Sequence, residues 1–311
     1  MIRYAKERRA FGKSIAEFGL IQRKISAAAT KLFATESMAY RTAGLIEART
    51  TQASGDTRPS AIPRCIEEYA VECSILKVYG SEMLSLIADE LIATMGGYGY
   101  VEEYPAERFY RDARINRIFE GTNEINRLII TGWMMKQAMT GKLPLLAAIK
   151  RVMDEVTQPP SFSDGVEANM PLVREAAVLD AVRKIALFAA GVASQRYMMA
   201  LESQQEIMAD LSDMICQVFA LESALLRARK LAAAGSNAAP TAAAMTGLLA
   251  DEAMALAEQA ARRVLAGCGE GDELSTQLAI LRRLARYTPA NAVALSRAVA
   301  AQCVAAERYP M

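Results

Sequence analysis

The sequence predicts an all-α protein built as two helical bundles in series. Apolar residues recur at steps of three and four along nearly every long segment, as they do on the buried stripe of an amphipathic helix. No run of four or more residues alternates in the way that a half-buried strand would, and no fixed-period repeat indicates a solenoid. The 311 residues, 52% of them apolar, suffice for a substantial core.

Two long helices are predicted in the first part of the chain. Apolar residues on one stripe indicate a helix over about 18–49, which the segment 50–60 is expected to end. A second helix is predicted over about 63–95, with Pro63 in its first turn and Gly96-Gly97 at its end. Its expected buried side consists of Ile66, Tyr69, Cys73, Leu76, Tyr79 or Gly80, Met83 and Ile87.

The remaining chain predicts a domain order. A glycine- and tyrosine-rich segment over 96–121 precedes a helix over about 122–139. The Pro- and Ser-containing stretch 158–165 is the best candidate boundary. We therefore predict a helical domain over 1–141, a linker with a short helix over 142–170, and a helical extension over 171–311. Four or five helices are expected in the extension, broken near Ser203, 235–240, 267–271 and Pro289.

Composition excludes several classes of function. Lys and Arg total 36 and Asp and Glu total 35, a balance that argues against binding of nucleic acid through a basic surface. The chain has no histidine, which excludes His-containing metal sites and every Ser-His or Cys-His nucleophile. Acid–base chemistry must fall to carboxylates, Lys, Tyr or Cys.

Cysteine usage and hydropathy indicate a soluble intracellular protein. The five cysteines are scattered without a C-x-x-C pair, so we expect buried thiols in a reducing compartment and no metal site. The charged N-terminal segment shows no signal peptide. No apolar stretch approaches the roughly 20 residues that a transmembrane helix needs.

The string Phe119-Glu120-Gly121-Thr122-Asn123-Glu124 carries the clearest chemical signal. Thr122 is a predicted N-cap for the helix that follows. Glu120 lies between an aromatic residue and a glycine, so it is either a structural carboxylate near the cap or a desolvated base whose pKa is raised. The residues alone leave both readings open.

Three further patterns also have two readings each. Gly96-Gly97-Tyr98-Gly99-Tyr100 follows a helix, which rejects a dinucleotide-binding strand-turn-helix. It is a helix stop or a close approach to a flat or phosphorylated ligand. The basic cluster 8–13 is a solvated helix end or a phosphate contact. For Arg108, Arg111, Arg114 and Arg117, the choice is between surface or interdomain ion pairs and contact with a phosphate or pyrophosphate.

Taken together, these strings resemble the acyl-CoA dehydrogenase family. Residues 4–13, 95–100, Arg111-Asp112 and 118–125 occur in the order and spacing of that family. The resemblance covers about 1–141 and implies the family's C-terminal, four-helix-bundle-like domain, followed by a second helical bundle. The strings 18–22 and 36–40 and the long extension are most similar to the very-long-chain branch.

The resemblance implies FAD as cofactor and a set of site residues. Glu120 matches the catalytic base that removes the α-proton of a fatty acyl-CoA while the β-hydride passes to flavin N5. Glu120, through its backbone N–H to the thioester carbonyl, and Gly121 are the implied substrate contacts. Arg8, Phe11 and Gly97 match positions that meet the FAD of a neighbouring subunit. Thr122 and Glu124 match positions beside the nucleotide end of a subunit's own FAD. Ala93 replaces a glutamine that often contacts the flavin nucleotide.

Further expectations concern partners and assembly. The family places a helical N-terminal domain and a β-domain before this part, so we expect them in cis or on a companion chain, and no turnover by this chain alone. Electron-transfer flavoprotein, a homodimer or homotetramer, and peripheral membrane contact by the extension are implied, in the bacterial cytoplasm or the mitochondrial matrix. Two alternatives stay open: a helical assembly module without turnover, and an acyl-CoA oxidase.

Overall fold

The computed structural model describes residues 1–52, 58–157 and 171–311 of the chain. The first part contains a short hairpin and eight helices within the described ranges. The strands are β1 (Arg9–Ala10) and β2 (Lys13–Ser14), followed by a 3-10 turn at Ile15–Glu17. The helices are α1 (Ile2–Glu7), α2 (Gly19–Gln52), α3 (Arg58–Glu68), α4 (Ala70–Met95), α5 (Gly97–Tyr100), α6 (Pro105–Ile115), α7 (Asn123–Met139) and α8 (Leu145–Thr157).

The extension consists of five α-helices and one 3-10 segment. The predicted breaks near Ser203, 235–240, 267–271 and Pro289 all fall between helices or at their first turn. Since the only strands of the described residues are the two-residue pair β1 and β2, the all-α prediction is confirmed. The helices are α9 (Val173–Tyr197), α10 (Gln205–Ala233), α11 (Ala239–Cys268), α12 (Gly271–Leu284) and α13 (Ala292–Ala306), and the 3-10 segment is Met198–Ser203.

The prediction of one helix over 63–95 is wrong. The chain forms α3 and α4 instead, because Tyr69 leaves helical geometry with φ −103° and ψ 24°. Pro63 lies inside α3 and not in a first turn. Ile66 was expected to be buried, but 49% of it is exposed, because the short helix α3 packs mainly against α2.

The two parts of the chain share one hydrophobic core. Helix α2 packs against α4 and also against α10, α11 and α13 of the extension. Phe33 of α2 and Leu221 of α10 are both fully buried in this core. The boundary stretch 158–165 lies outside the described residues, so the division into 1–141, 142–170 and 171–311 stays a prediction.

The cysteines largely follow the expectation of buried thiols. Cys65, Cys216, Cys268 and Cys303 are buried and unpaired, whereas Cys73 is only partly buried. Burial raises the pKa of the Cys303 thiol to about 11, so this thiol stays protonated at neutral pH. Across the described ranges, none of the helices combines the length and apolar character that crossing a bilayer requires.

Candidate functional site

The loop that carries Glu120 has an unusual backbone. Glu120 and Gly121 adopt φ values of 57° and 80°, a left-handed geometry that is uncommon for a residue with a side chain. The loop ends at Thr122, whose hydroxyl accepts a hydrogen bond from the Ile125 N–H at 3.3 Å, which confirms the predicted N-cap of α7. Within this loop, Glu120 is the residue with a side chain that adopts this geometry.

Side chains of α4 and α7 hold the carbonyls of this loop. The Gly121 carbonyl accepts from Lys77 Nζ at 2.6 Å and from Asn126 Nδ2 at 2.9 Å. Asn126 Nδ2 also lies 3.2 Å from the Thr122 carbonyl. The backbone N–H groups of Glu120 and Gly121 have no acceptor among the described residues. This part of the chain therefore offers two free N–H donors beside a carboxylate.

A buried polar network lies behind the loop. Asn123 is 1% exposed; its Oδ1 accepts from Lys77 Nζ at 2.7 Å, and its Nδ2 donates to Ser81 Oγ at 3.0 Å and Glu82 Oε1 at 3.1 Å. Sequence reasoning missed this network. The available signal was the polar residues Lys77, Ser81 and Glu82, which interrupt an apolar helix at helical spacing.

The described residues do not provide the desolvation expected for Glu120. Glu120 is exposed, and its aromatic neighbour Phe119 is itself 48% exposed, because no described element covers the Phe119 ring. Exclusion of water from the Glu120 carboxylate would therefore have to come from outside the described residues.

Glu124 occupies the first turn of α7. The pKa of its carboxyl is lowered, chiefly because the Glu124 backbone N–H and then the Thr122 hydroxyl donate to the carboxylate. A negative charge is favourable at a helix N-terminus, so Glu124 is accounted for as a capping carboxylate. It remains exposed and accessible to a ligand.

Phe11 lies at the tip of the β1–β2 hairpin. Phe11 and Gly12 have φ values of 52° and 83°, and a two-residue hairpin turn with both residues left-handed matches the twist of its strands. Phe11 is 94% exposed, with only an edge contact to Phe18 at a centroid distance of 6.1 Å. The hairpin thus presents an aromatic ring outward from the fold.

Arg8 and Gly97 both line one cleft. It has a volume of about 480 Å³ and lies between α1 and the end of α4, which are joined by a hydrogen bond from Tyr4 Oη to the Met95 carbonyl at 3.1 Å. The Arg8 side chain is exposed and has no hydrogen-bond or ion-pair partner among the described residues. The cleft therefore has an available cation at its margin.

The glycine-rich segment was predicted either to stop a helix or to allow close approach of a ligand, and different glycines in it fit these two roles. Gly96 ends α4 with φ 61° and ψ −137°, a conformation that requires glycine. Gly97 has normal φ, and a Cβ placed there would meet no atom within 4 Å. A Cβ on Gly99 would lie 2.7 Å from the Ile92 carbonyl oxygen. Gly96 is thus the helix stop, Gly99 is needed for packing, and Gly97 leaves space open.

The predicted site residues form two groups at opposite ends of α4. Lys77 contacts the loop of Glu120, and Met95 lines the cleft of Arg8 and Gly97. At a rise of 1.5 Å per residue, these two positions on α4 are about 27 Å apart. The structure does not bring the two groups into one pocket of a single chain.

Of the four arginines at 108–117, one forms an ion pair within the described residues. Arg111 binds Glu107 on its own helix at 2.7 Å. Within the described part of the chain, Arg108, Arg114 and Arg117 form no ion pair. The row is therefore not a network of surface ion pairs, and contact with a phosphate stays a prediction.

The chain resembles acyl-CoA dehydrogenases over most of its length. Two family profiles, each described as the acyl-CoA dehydrogenase C-terminal domain, match residues 1–135 and 181–283. A "Probable acyl-CoA dehydrogenase" of Bacillus subtilis is 42% identical over 311 residues, which cover 98% of this chain and 52% of that protein. The human mitochondrial very long-chain specific acyl-CoA dehydrogenase is 39% identical over 127 residues, 41% of this chain and 17% of that protein.

Solved structures place the fold in the same group. The crystal structure of an acyl-CoA dehydrogenase complexed with FAD from Bacillus anthracis superimposes with a TM-score of 0.93 and 39% identity, over 100% of this chain and 52% of that one. An acyl-CoA oxidase from Yarrowia lipolytica, 14% identical with a TM-score of 0.67 over 97% of this chain and 46% of that one, shares the fold alone.

The fold is that of the helical C-terminal domain of acyl-CoA dehydrogenases. The chain belongs to the acyl-CoA dehydrogenase family. It spans about half the length of the relatives that match it from end to end.

Proposed function

We propose that this chain is the C-terminal part of an FAD-dependent acyl-CoA dehydrogenase that performs α,β-dehydrogenation of fatty acyl-CoA in fatty acid β-oxidation. The observation that carries the proposal is the loop of Glu120. Its left-handed backbone presents a carboxylate together with two N–H groups that have no acceptor among the described residues.

This loop supports proton abstraction next to a thioester. The Glu120 carboxylate takes the α-proton of the acyl chain as general base. The Glu120 N–H donates to the thioester carbonyl and stabilises the negative charge that develops on its oxygen. The Gly121 N–H, which has no acceptor among the described residues, is the second proposed substrate contact. Bound FAD would supply the acceptor for the β-hydride.

Residues of both groups fit FAD. The free guanidinium of Arg8 suits a pyrophosphate, the open face of Gly97 suits a close ligand, and Phe11 projects an aromatic ring. Thr122 and Glu124, at the other end of α4, would contact the nucleotide of a second flavin. Because the two groups are about 27 Å apart, we propose that one chain serves two flavins in a homodimer or homotetramer.

Other partners follow from the same proposal. The remaining flavin and acyl-CoA contacts would come from a helical and a β-domain, in cis or on a companion chain. Electron-transfer flavoprotein is the proposed acceptor, supported by 38% identity over 136 residues to the "Caffeyl-CoA reductase-Etf complex subunit CarC" of Acetobacterium woodii, 44% of this chain and 32% of that protein. Membrane contact by the extension stays a prediction, which the exposed side chains of Met198 and Met199 support.

Anaerobic bleaching of flavin absorbance by palmitoyl-CoA tests the proposal. The 311-residue chain is compared alone and after co-expression with the helical and β-domains of the family. Bleaching only in the co-expressed sample supports a dehydrogenase completed by those domains. No flavin in either sample favours the alternative, a helical assembly module. Rapid reoxidation of reduced flavin by oxygen would identify an acyl-CoA oxidase.

Replacing Arg8 by Ala is expected to weaken FAD retention by the co-expressed enzyme about tenfold or more, since a charge-assisted hydrogen bond is lost. The measurement is the FAD dissociation constant by fluorescence titration. Arg3→Ala is the matched control, because Arg3 is also an exposed arginine near the N-terminus but does not line the cleft. An unchanged constant for Arg8→Ala would remove Arg8 from the cofactor site.

Two glycine substitutions should separate ligand approach from packing. Gly97→Ala is expected to leave the melting temperature nearly unchanged, because its Cβ meets no atom, but to weaken FAD binding. Gly99→Ala should lower the melting temperature, because its Cβ would lie 2.7 Å from a backbone oxygen. Thermal denaturation and FAD titration on both variants check the pair. Equal FAD affinity for Gly97→Ala and the unmodified protein contradicts the role of Gly97.

A further inference from the structure

The extension contacts α7 just behind the Glu120 loop. Arg127 of α7 donates to both carboxylate oxygens of Glu82 on α4, at 2.8 and 3.0 Å, and its Nε donates to Asp213 Oδ1 on α10 at 2.7 Å. The Arg127 side chain is only 16% exposed. An ion pair in such surroundings is little screened by solvent, so Arg127 fixes α7 between α4 and the extension.

Hydroxyl groups form a second link between α7 and α10. Ser212 Oγ donates to the Arg127 carbonyl. Thr131 Oγ1 donates to the Met208 carbonyl at 2.8 Å and lies 2.5 Å from Ser212 Oγ. Ser212 and Thr131 are both buried. The contact thus covers one full turn of each helix and contains both charged and neutral hydrogen bonds.

This contact is continuous with the loop of Glu120. Asn126, adjacent to Arg127, holds the Gly121 and Thr122 carbonyls. Glu82, which binds Arg127, also accepts from Asn123 at 3.1 Å. A shift of α7 along or around its axis would therefore displace the loop, whose left-handed residues persist only while neighbouring contacts hold them.

We infer that Asp213 and Ser212 of the extension are positioning residues, which act through Arg127 and α7 to hold the Glu120 backbone in its left-handed conformation. The extension would thereby influence the reaction although none of its own side chains lies in the site. This inference rests on the proposed role of Glu120, but its first test does not depend on catalysis.

The first test is amide hydrogen exchange of the 311-residue chain. Asp213→Asn should raise exchange over 119–127 about tenfold, since a hydrogen bond between charged groups is weakened, with little change in α11. Asp210→Asn is the matched control: Asp210 also lies on α10 and binds Arg263 at 2.9 and 3.0 Å, but it does not contact α7. Asp213→Glu, which restores the charge, should restore protection.

Ser212→Ala keeps both charges and is the second variant. An increase in exchange throughout the chain would show that Asp213→Asn destabilises the whole fold. In that case, Ser212→Ala is the variant that must raise exchange over 119–127. Exchange over 119–127 equal to that of the unmodified chain in both variants, or equal increases in Asp210→Asn, would overturn the inference.

The second test uses the co-expressed enzyme with bound FAD. Asp213→Asn should slow flavin reduction by palmitoyl-CoA about tenfold at saturating substrate, because the base is displaced, and Asp213→Glu should restore the rate. Regional exchange that rises without any loss of this rate overturns the positioning role. Flavin reduction by Glu120→Gln at the unmodified rate would instead refute Glu120 as the base. The exchange result does not depend on catalysis and would not be affected by that failure.

Discussion

Glu120→Gln is expected to lower the rate of flavin reduction by acyl-CoA about 10²- to 10⁴-fold, the usual contribution of a general base. Glutamine has nearly the same shape and keeps the backbone N–H that would donate to the thioester carbonyl, but it takes up no proton. FAD affinity should be unchanged. The measurement is anaerobic stopped-flow absorbance of the co-expressed enzyme mixed with palmitoyl-CoA.

Glu206→Gln is the matched control, since Glu206 is also an exposed carboxylate near the start of a helix and lies outside both groups of site residues. In the Glu206→Gln variant, acyl-CoA should reduce the flavin at the same rate as in the unmodified enzyme. Flavin reduction by Glu120→Gln at the same rate as this control would remove Glu120 as the base. Loss of FAD from Glu120→Gln would assign the residue a structural role in the cofactor site.

Local patterns predicted the elements of the site better than its surroundings. The N-cap at Thr122 follows from a Thr before a helical stripe, since capping depends on residues within one turn. The end of α4 at Gly96 follows from the glycine pair in the same way. The network of Lys77 and Asn123 depends on residues 46 positions apart, and no local pattern encodes such a contact.

The exposed state of Glu120 shows a second limit of sequence reasoning. A neighbouring aromatic residue predicts desolvation only if the ring is itself packed over the carboxylate, and Phe119 is 48% exposed. Burial is a property of the assembled surroundings. In the same way, the helical pattern of the extension predicted four or five helices, of which the structure has five, but not that α10 contacts α7 through Asp213.

The shared core predicts that the first part of the chain and the extension unfold together. Phe33→Ala in α2 should lower the free energy of unfolding by about 3–5 kcal/mol and Leu221→Ala in α10 by about 2–5 kcal/mol, the range for large-to-small changes at fully buried positions. Because both side chains belong to one core, each substitution should shift the same single transition.

Urea denaturation of the 311-residue chain, followed by circular dichroism and by fluorescence of Trp133 in α7, measures this effect. Leu226→Ala is the matched control, because Leu226 lies on α10 with Leu221 but is 49% exposed, and it should change the midpoint little. Coincident transitions in both signals, shifted by both core variants, indicate one cooperative unit. If Phe33→Ala and Leu221→Ala shifted two different transitions, the first part of the chain and the extension would be independent domains. Helix α10 would then position α7 only while both domains remain folded.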